Sequence, residues 1–514
     1  MTRLCVAIFV HSLEQALADV AKAAEAGADM VELRIDLLEE ADAVAQLVKQ
    51  CSLPCIVTCR SRAEGGQCTA VDDDRVALLR VAAEAGASYV DIELGTLAPR
   101  AGSAGAREER SGTIVSHHNF AGRPTRLYSV VEDMLETGAD VHKIVWRATT
   151  IRDNLEAFEL LQRRTKPTIA LCMGEPGLMS RVLAKKFGAF LTFASLHADA
   201  ETAPGQLAVD ELKRLYRWDS IGPETKVYGV IGKPVGHSLS PAVHNAAFSA
   251  AHLDAVYLPM LVEPTYESFK AFMEECLAFA PLQLAGVSVT IPHKEHALRY
   301  LTDRGGSVEM LARRIGAVNT IDIRHDSDGV KLRGINTDYA AILDAVTHAM
   351  GITRQELAGR RAAVIGAGGT GRTAAAALAG CGADVVIFNR TLDRAERLAE
   401  ELDGRTGRVL AAALGQLANA DCELYINTTS IGMTPHMEDA PWGLRPPKLG
   451  PGKLVFDAIY NPTETRMLRE AKAAGAVTVG GVEMFVRQAA AQFETWTGQP
   501  ADVELMRAAM IRRL

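Results

Sequence analysis

The chain lacks the surplus of positive charge by which proteins grip nucleic-acid backbones. It carries 55 lysines and arginines against 63 acidic residues, a net charge of −8. A global basic field is excluded, while local basic pockets for small anions are not. No apolar run approaches the roughly 20 residues needed to cross a bilayer. A cleavable leader is not expected either. Leu4 to Val10 is a short apolar run, but an amphipathic helix follows at once with no small-residue cleavage site. The nine cysteines include no CxxC pair. Cys51, Cys55 and Cys59 are spaced by four, yet Pro54 and the strand-like VTCR keep them off one helix face. Reduced thiols in a cytoplasmic protein are therefore expected, with no metal site and no disulfide framework.

What is present is length and alternation. A chain of 514 residues is too long for one core, so several domains are expected. The first stretch repeats one pattern of amphipathic helix, glycine and β-rich run. AAEAGADMVELRID (23–36) and AAEAGASYVDIEL (82–94) are near copies, and ETGADVHKIVW (136–146) is looser. Strands are expected at 4–10, 30–36, 55–60, 89–93, 113–117, 141–146, 167–173 and 189–193. Eight strands alternating with helices fit a (β/α)8 barrel over 1–217, with an open doubly wound sheet as the alternative. The turn-rich WDSIGPET (218–225) then separates a second α/β region. There, RAAVIGAGGTGRTAAAALAGCGADVVIFNRT (361–391) reads as one strand, glycine turn, helix and strand, the opening of a Rossmann domain over 336–481. Residues 226–335 form a separate α/β domain onto which a final helix, 482–514, is expected to return.

Charges inside apolar strands are rare unless paired or functional. Glu32, Arg34, Glu93 and Lys143 are of this kind, and Arg60, Glu64, His118, Arg181 and Gln206 fall at or past strand ends. In a barrel those ends carry the chemistry. Burial beside arginines is expected to favour a neutral Lys143 amine, which imine formation with a ketone requires. A structural ion pair to a barrel glutamate is the equal alternative. In SHHNF (116–120) strand alternation turns one of the two histidines away from the barrel.

These segments resemble type I 3-dehydroquinate dehydratases. The motifs are ELR (32–34), CRSRAEGG (59–66), SHHNF, VHKI around Lys143, MGEPGLMSR ending at Arg181, and ETAPGQ (201–206). The resemblance implies an imine on Lys143, proton transfer by His118, and substrate held by Glu32, Arg34, Arg60, Arg181, Thr202 and Gln206. Thr202 stands where serine is commoner, and no serine is evident at the end of the first strand.

In the second half GAGGTG fits GxGxxG, and FNRT (388–391) ends the next strand where an NAD enzyme would place an acid. Arg390 and Arg394 suit a 2′-phosphate, so NADP is the expected cofactor. Ser238, Ser240, Thr290, Lys294, Asn319 and Asp338 each have an ordinary reading as cap, turn or solvated residue. Together with NTTSIGM (427–433), DAIYNPTET (457–465) and GVEMFVRQAAAQFETWTG (481–498), their segments resemble shikimate dehydrogenases. That resemblance implies Lys294 and Asp338 at the reacting carbonyl, with Ser238, Ser240, Thr290, Asn319, Tyr460 and Gln488 on substrate. Gly366, Ala367, Gly368, Gly369, Thr370, Gly371, Asn389, Arg390, Thr391, Arg394 and Gly481 would hold NADP. Ser288 stands where many such enzymes carry asparagine, and Tyr339 where glycine is common. The fused order resembles the bifunctional enzyme of plants and some bacteria, with shikimate-pathway small molecules as partners. A quinate-preferring dehydrogenase half is the alternative enzyme. A sensor without catalysis is disfavoured because His118, Lys143, Lys294 and Asp338 are all kept.

Overall fold

The computed structural model describes residues 2–97, 111–327, 329–404 and 407–514. The chain folds as two compact units. One contains everything up to Val227, the other Leu284–Leu514, and residues 228–283 are divided between them.

The first unit holds eight parallel strands: β1 (Arg3–Phe9), β2 (Met30–Arg34), β3 (Cys55–Thr58), β4 (Tyr89–Glu93), β5 (Gly112–Asn119), β6 (Val141–Arg147), β7 (Thr168–Met173) and β8 (Leu191–Ala194). Their order is β7-β6-β5-β4-β3-β2-β1-β8. The N–H of Phe190 donates to the Thr168 carbonyl at 2.8 Å, tying the starts of the two end strands and nearly closing a barrel. This is the (β/α)8 arrangement expected, and the open-sheet alternative falls. The repeated glycines end their helices in the left-handed conformation: Gly27, Gly86 and Gly138 have φ of +79°, +104° and +72°.

Side chains alternate across a strand, so parity decides what enters the barrel. The interior core includes Met30, Ile56, Ile114, Val141, Val145 and Ile169. Glu32 and Arg34 share parity with Met30, Ser116 and His118 with Ile114, and Lys143 lies between Val141 and Val145. The chain thus sends its charges in with its apolar residues. The strand expected to reach residue 60 ends at Thr58, which leaves Arg60 on the loop above the barrel.

The second half contains two more sheets. One is mixed and comprises β9 (Lys226–Gly232), β10 (Ala255–Leu261), β11 (Leu284–Val289), β12 (Ser307–Val308), β13 (Thr320–Asp326) and β14 (Gly329–Ile335), in the order β10-β9-β11-β13-β14-β12. The other comprises β15 (Arg361–Ile365), β16 (Asp384–Asn389), β17 (Val409–Ala413), β18 (Leu424–Asn427), β19 (Leu454–Asp457) and β20 (Val477–Val479). It is parallel throughout in the order β17-β16-β15-β18-β19-β20, the doubly wound Rossmann order, whose crevice opens where β15 meets β18. The C-terminal stretch expected as one helix is two, Gly481–Thr497 and Val503–Ile511. Gly498, with φ +69°, stops the first, and Pro500 with the Asp502 cap begins the second after a turn.

Leu424 is fully buried beside Val364, Ile426 and Phe456 in the parallel sheet's core. Leu424→Ala is expected to destabilise that core by about 2–5 kcal/mol. The check is an earlier urea midpoint in tryptophan fluorescence, with Trp442, buried in the same domain, as reporter.

Candidate active sites

At the C-terminal mouth of the barrel, Glu32, Arg34, Arg60, Glu64, His118, Lys143, Arg181, Thr202 and Gln206 line a single pocket, closed by Phe120, Met173 and Phe193. Lys143 is nearly buried. Its ammonium donates to Glu32 at 3.0 Å and to Asp91 at 2.9 Å and lies 4.5 Å from the centre of the Phe193 ring. The expected neighbours were arginines. The nearest partners are carboxylates, because an uncompensated ammonium inside an apolar barrel would be very costly.

Asp91 is the hub of the interior. It accepts from Ser116 at 2.6 Å and pairs with Arg60 at 2.7 Å. Burial alone would raise its carboxyl, but Arg60 and Lys143 hold it well below the usual range. Arg34 is committed to Asp36 through two bonds of 3.1 and 2.7 Å. Glu93, one of the suspicious buried acids, is a structural partner of Ser61 and Arg75. Arg181 differs from Arg34 and Arg60. It is 1% exposed, and among the described residues its Nε has no partner and its guanidinium donates one hydrogen bond, to the Pro204 carbonyl at 3.3 Å. Burial pushes its guanidinium down to about 10. Among the pocket's arginines it is the one that forms no ion pair among the described residues, although the charge of Glu201 acts on it. Thr202 donates to Gln206 from both its N–H and its hydroxyl.

Of the histidine pair, His118 takes the inward position. Its Nδ1 lies 2.9 Å from Glu64 Oε2, which also accepts the His118 N–H. His117 points to the partly open side, 4.0 Å from the same carboxylate. Burial, and then the charges of Arg60 and Lys143, hold His118 well below its ordinary value. Burial also pushes Glu64 up to about 7, against the pull of Arg60 and aided by Glu93 and Asp91. The sequence marked Glu64 as a residue past a strand end without giving it a partner, and it missed Asp91. Asp91 shares parity with Glu93 in VDIEL, which was the available signal.

In the second half, Lys294 and Asp338 each open a helix, Lys294–Asp303 and Asp338–Met350. They meet at 2.6 Å, both nearly buried, and Lys294 also donates to Thr370 at 3.2 Å. A cation at a helix N-terminus opposes the helix dipole, whereas Asp338 is favoured by its own. Each therefore supports the other. The amide of Asn319 donates to Thr337, next to Asp338, at 2.9 Å, and the Val318 N–H donates to the Lys294 carbonyl. Thr290 starts the turn that leads to Lys294 through the His293 N–H. Ser238 and Ser240 form a pair of their own with hydroxyls 3.2 Å apart. Tyr460 packs edge-on against Phe485 with ring centres 5.0 Å apart, and Gln488 donates to the Phe485 carbonyl. Ser288 is buried opposite Thr320 in the antiparallel register of β11 and β13.

The glycine turn after β15 is a cradle without room for side chains. A Cβ on Gly371 would lie 2.1 Å from the Gly366 carbonyl oxygen, while the space beside Gly368 is open. A dinucleotide pyrophosphate requires such a turn at the start of a helix, here Gly369–Gly380. Thr428 closes one side, its hydroxyl bonded to the Ile365 carbonyl at 2.7 Å. Arg390 and Arg394, past the end of β16, are exposed and form no ion pair among the described residues. They fit a phosphate ester on the adenosine ribose. The side chain of Asn389 turns back to the Thr391 carbonyl at 2.8 Å. Gly481 is needed for close packing, since a Cβ there would lie 2.4 Å from the Ala458 carbonyl oxygen. Sequence reading also missed Asp457. Its carboxylate accepts from Asn427, Ile459 and Thr465 and so joins the ends of β18 and β19. Burial pushes it up to about 6.

A lysine-centred barrel together with a Rossmann module and a Lys–Asp pair fits a two-headed enzyme: a lyase and a dinucleotide-dependent dehydrogenase. Family models agree. Type I 3-dehydroquinase matches residues 4–223, the shikimate dehydrogenase substrate binding domain 230–321, shikimate / quinate 5-dehydrogenase 349–432, and the shikimate 5'-dehydrogenase C-terminal domain 481–511. The bifunctional 3-dehydroquinate dehydratase/shikimate dehydrogenase of Arabidopsis thaliana, a chloroplastic protein, is 41% identical over 520 residues, covering 98% of this chain and 83% of the relative. A Geobacillus kaustophilus shikimate dehydrogenase (NADP(+)) is 43% identical over 290 residues, 56% of this chain and 99% of the relative. A crystal structure of a shikimate dehydrogenase in complex with NADP+ superposes with a TM-score of 0.50 at 35% identity, covering 57% of this chain and 97% of that one. The chain belongs to the bifunctional 3-dehydroquinate dehydratase/shikimate dehydrogenase family.

Gly371→Ala places a methyl group against the main chain of the cradle. NADPH affinity, measured by quenching of cofactor fluorescence, is expected to fall by about tenfold or more, the loss of at least one charge-assisted contact. The barrel's reaction should be unaffected.

Proposed function

We propose that the first unit dehydrates 3-dehydroquinate to 3-dehydroshikimate through an imine on Lys143, and that the second half reduces 3-dehydroshikimate to shikimate with NADPH. The observation that carries this reading is an amine held at the barrel centre between two carboxylates, with His118 and the unpaired Arg181 lining the same pocket. Glu32, bonded to the ammonium at 3.0 Å, is placed to accept the proton that Lys143 sheds before attack, while Asp91 holds the ammonium in position. The amine adds to the ketone carbon, the oxygen leaves as water, and the iminium draws electrons from the neighbouring carbon. His118 takes a proton from that carbon and returns one to the departing hydroxyl. Water then adds to the product iminium and expels the Lys143 amine, which restores the ketone and leaves one water lost overall. Arg181 receives the substrate carboxylate, for which a planar guanidinium is suited. Arg34 and Arg60, already paired, shape the polar wall with Thr202 and Gln206.

In the dehydrogenase, NADPH when bound supplies hydride to the substrate carbonyl. Lys294 steadies the negative charge that grows on the carbonyl oxygen, and the Lys294–Asp338 pair delivers the proton. Ser238, Ser240, Thr290, Asn319, Tyr460 and Gln488 hold the ring substituents, and the serine pair favours shikimate over quinate. Gly366 to Gly371 carry the pyrophosphate, with Asn389, Arg390, Thr391 and Arg394 at the ribose phosphate and Gly481 at the floor. We assign 1–217 to the dehydratase, 226–335 with 482–514 to substrate binding, and 336–481 to NADP binding. Bonds from Gln492 to Thr320 and from Trp496 to the Ile321 carbonyl support the return of the C-terminal segment. Among the described residues no helix is long and apolar enough to cross a membrane, and the nine free thiols suit a cytoplasmic setting.

Borohydride added with 3-dehydroquinate is expected to leave an adduct on Lys143 by mass spectrometry. An adduct on another lysine would overturn the assignment. Lys143→Ala should abolish dehydration and spare reduction of added 3-dehydroshikimate. Asp338→Asn should lower reduction by about 10²–10⁴-fold and spare dehydration.

A pH dependence follows from Glu64. Its carboxyl sits near 7, so it becomes ionised as pH rises through that value. Ionised, it accepts the Nδ1–H of His118 and leaves Nε2 with a free lone pair. Protonated, it donates to Nδ1 and fixes the opposite tautomer. Dehydratase kcat/KM is therefore expected to rise through pH 7, and Glu64→Gln should both lower it and remove that inflection.

A further inference from the structure

A second hollow lies at the opposite end of the barrel from Lys143. It is formed where β1, β7 and β8 begin, and its volume is about 1150 Å³ including the open mouth. Its charged lining consists of Arg164, Lys166 and Lys185, with Thr2, Thr165 and Phe190 completing the walls, and among the described residues no carboxylate lines it. The chain as a whole is acidic, with 63 acids to 55 bases, so three cations without an acid in one hollow are unusual here.

These side chains are fixed by the fold. The Arg164 guanidinium is anchored through Nη1 to the carbonyls of Leu161 and Phe187. It lies so close over Gly188 that a Cβ there would come within 2.7 Å of Nη2. Lys166 donates to the Ala139 carbonyl at 2.7 Å, and Lys185 to the Asp219 carbonyl at 2.9 Å. All of these acceptors are neutral main-chain oxygens, which orient the cations without cancelling their charge. Arg3 adds a fourth positive charge, its guanidinium 4.7 Å from the centre of the Phe190 ring. The nearby acids are engaged elsewhere: Asp29 accepts the Leu4 N–H, Asp140 the Thr113 N–H, and the Asp219 carboxylate faces Lys213.

Like charges held together in a hollow repel one another, and a multivalent anion relieves that repulsion. A planar guanidinium beside two ammonium groups matches a tetrahedral oxyanion with two negative charges, since the fork spans two oxygens and each ammonium takes one. We propose that this hollow is a binding site for a small phosphate-bearing molecule, separate from both active sites. A monocarboxylate, the charge type of the barrel's own substrate, offers too few oxygens and too little charge to engage all three cations.

The test titrates the full-length protein with inorganic phosphate, glycerol phosphate and acetate at constant ionic strength, followed by calorimetry and ³¹P line broadening. Arg181→Gln, Arg390→Gln and Arg394→Gln, combined in one background, remove the anion-binding charges of the active sites. In that background phosphate and glycerol phosphate are expected to bind saturably at one site, with acetate weaker by about tenfold or more. Adding Arg164→Gln with Lys166→Gln should abolish saturable binding. In the otherwise unchanged protein this pair should leave both enzyme activities intact, which reads folding. Should the pair unfold the chain, Arg164→Gln alone is expected to weaken phosphate by about tenfold. Binding that survives these changes is an adventitious ion only and overturns the proposal. So would the absence of saturation or equal affinity for acetate. Retained binding of glycerol phosphate identifies a phosphate ester as the ligand class, and binding of inorganic phosphate alone identifies the free ion.

Discussion

An ammonium group buried in a barrel must meet negative charge or lose its own, and the dehydratase half is organised around that requirement. Lys143 lies between Glu32 and Asp91. Asp91 in turn needs Arg60 and Ser116, and Glu32 accepts from Thr58 at 2.9 Å. Each of these groups would be costly alone in an apolar interior. Together they form a network in which the amine's charge is compensated. The same network sets the electrostatics of its surroundings. Its positive members help to keep His118 unprotonated, and its acids help to raise Glu64. The proton affinities of His118 and Glu64 thus depend in part on charges placed there to accommodate a lysine.

The dehydrogenase solves a related problem with fewer parts. Lys294 opens a helix, where a cation is disfavoured, and Asp338 opens another, where an anion is favoured. Their contact joins two helix starts at one point, and Thr370, in the glycine turn, is within reach of the same ammonium. The Lys294–Asp338 pair and the glycine turn are therefore linked by a single side chain. Asp457 does comparable work further along the sheet edge, where it fixes the turn that begins at Asn427 against the cradle. A buried carboxylate with three neutral donors is a rigid joint, because any shift leaves one donor unsatisfied.

Much of this was legible in the sequence. Strand periodicity, glycine stops and the GxGxxG context gave the barrel and the Rossmann order, because apolar spacing and turn chemistry are local properties. Separated motifs gave the family and the residues Lys143, His118, Lys294 and Asp338. Parity within each strand is also local, and it places Glu32, Ser116, His118 and Lys143 in the interior without reference to any neighbour.

Tertiary structure decided which of those residues compensate one another. Arg34, Arg60 and Arg181 look alike as isolated arginines past strand ends. Folding pairs the first with Asp36 and the second with Asp91, and it leaves the third outside any ion pair among the described residues. Glu93 looked as suspicious as Glu32, yet it holds Arg75 and Ser61. Glu64 drew little notice and Asp91 none, yet they hold His118 and Lys143. The division has one physical cause. Periodicity and turn preference depend on neighbours along the chain, whereas charge compensation depends on distance in space. Lys143 and Glu32 are 111 residues apart in sequence and 3.0 Å apart in the barrel.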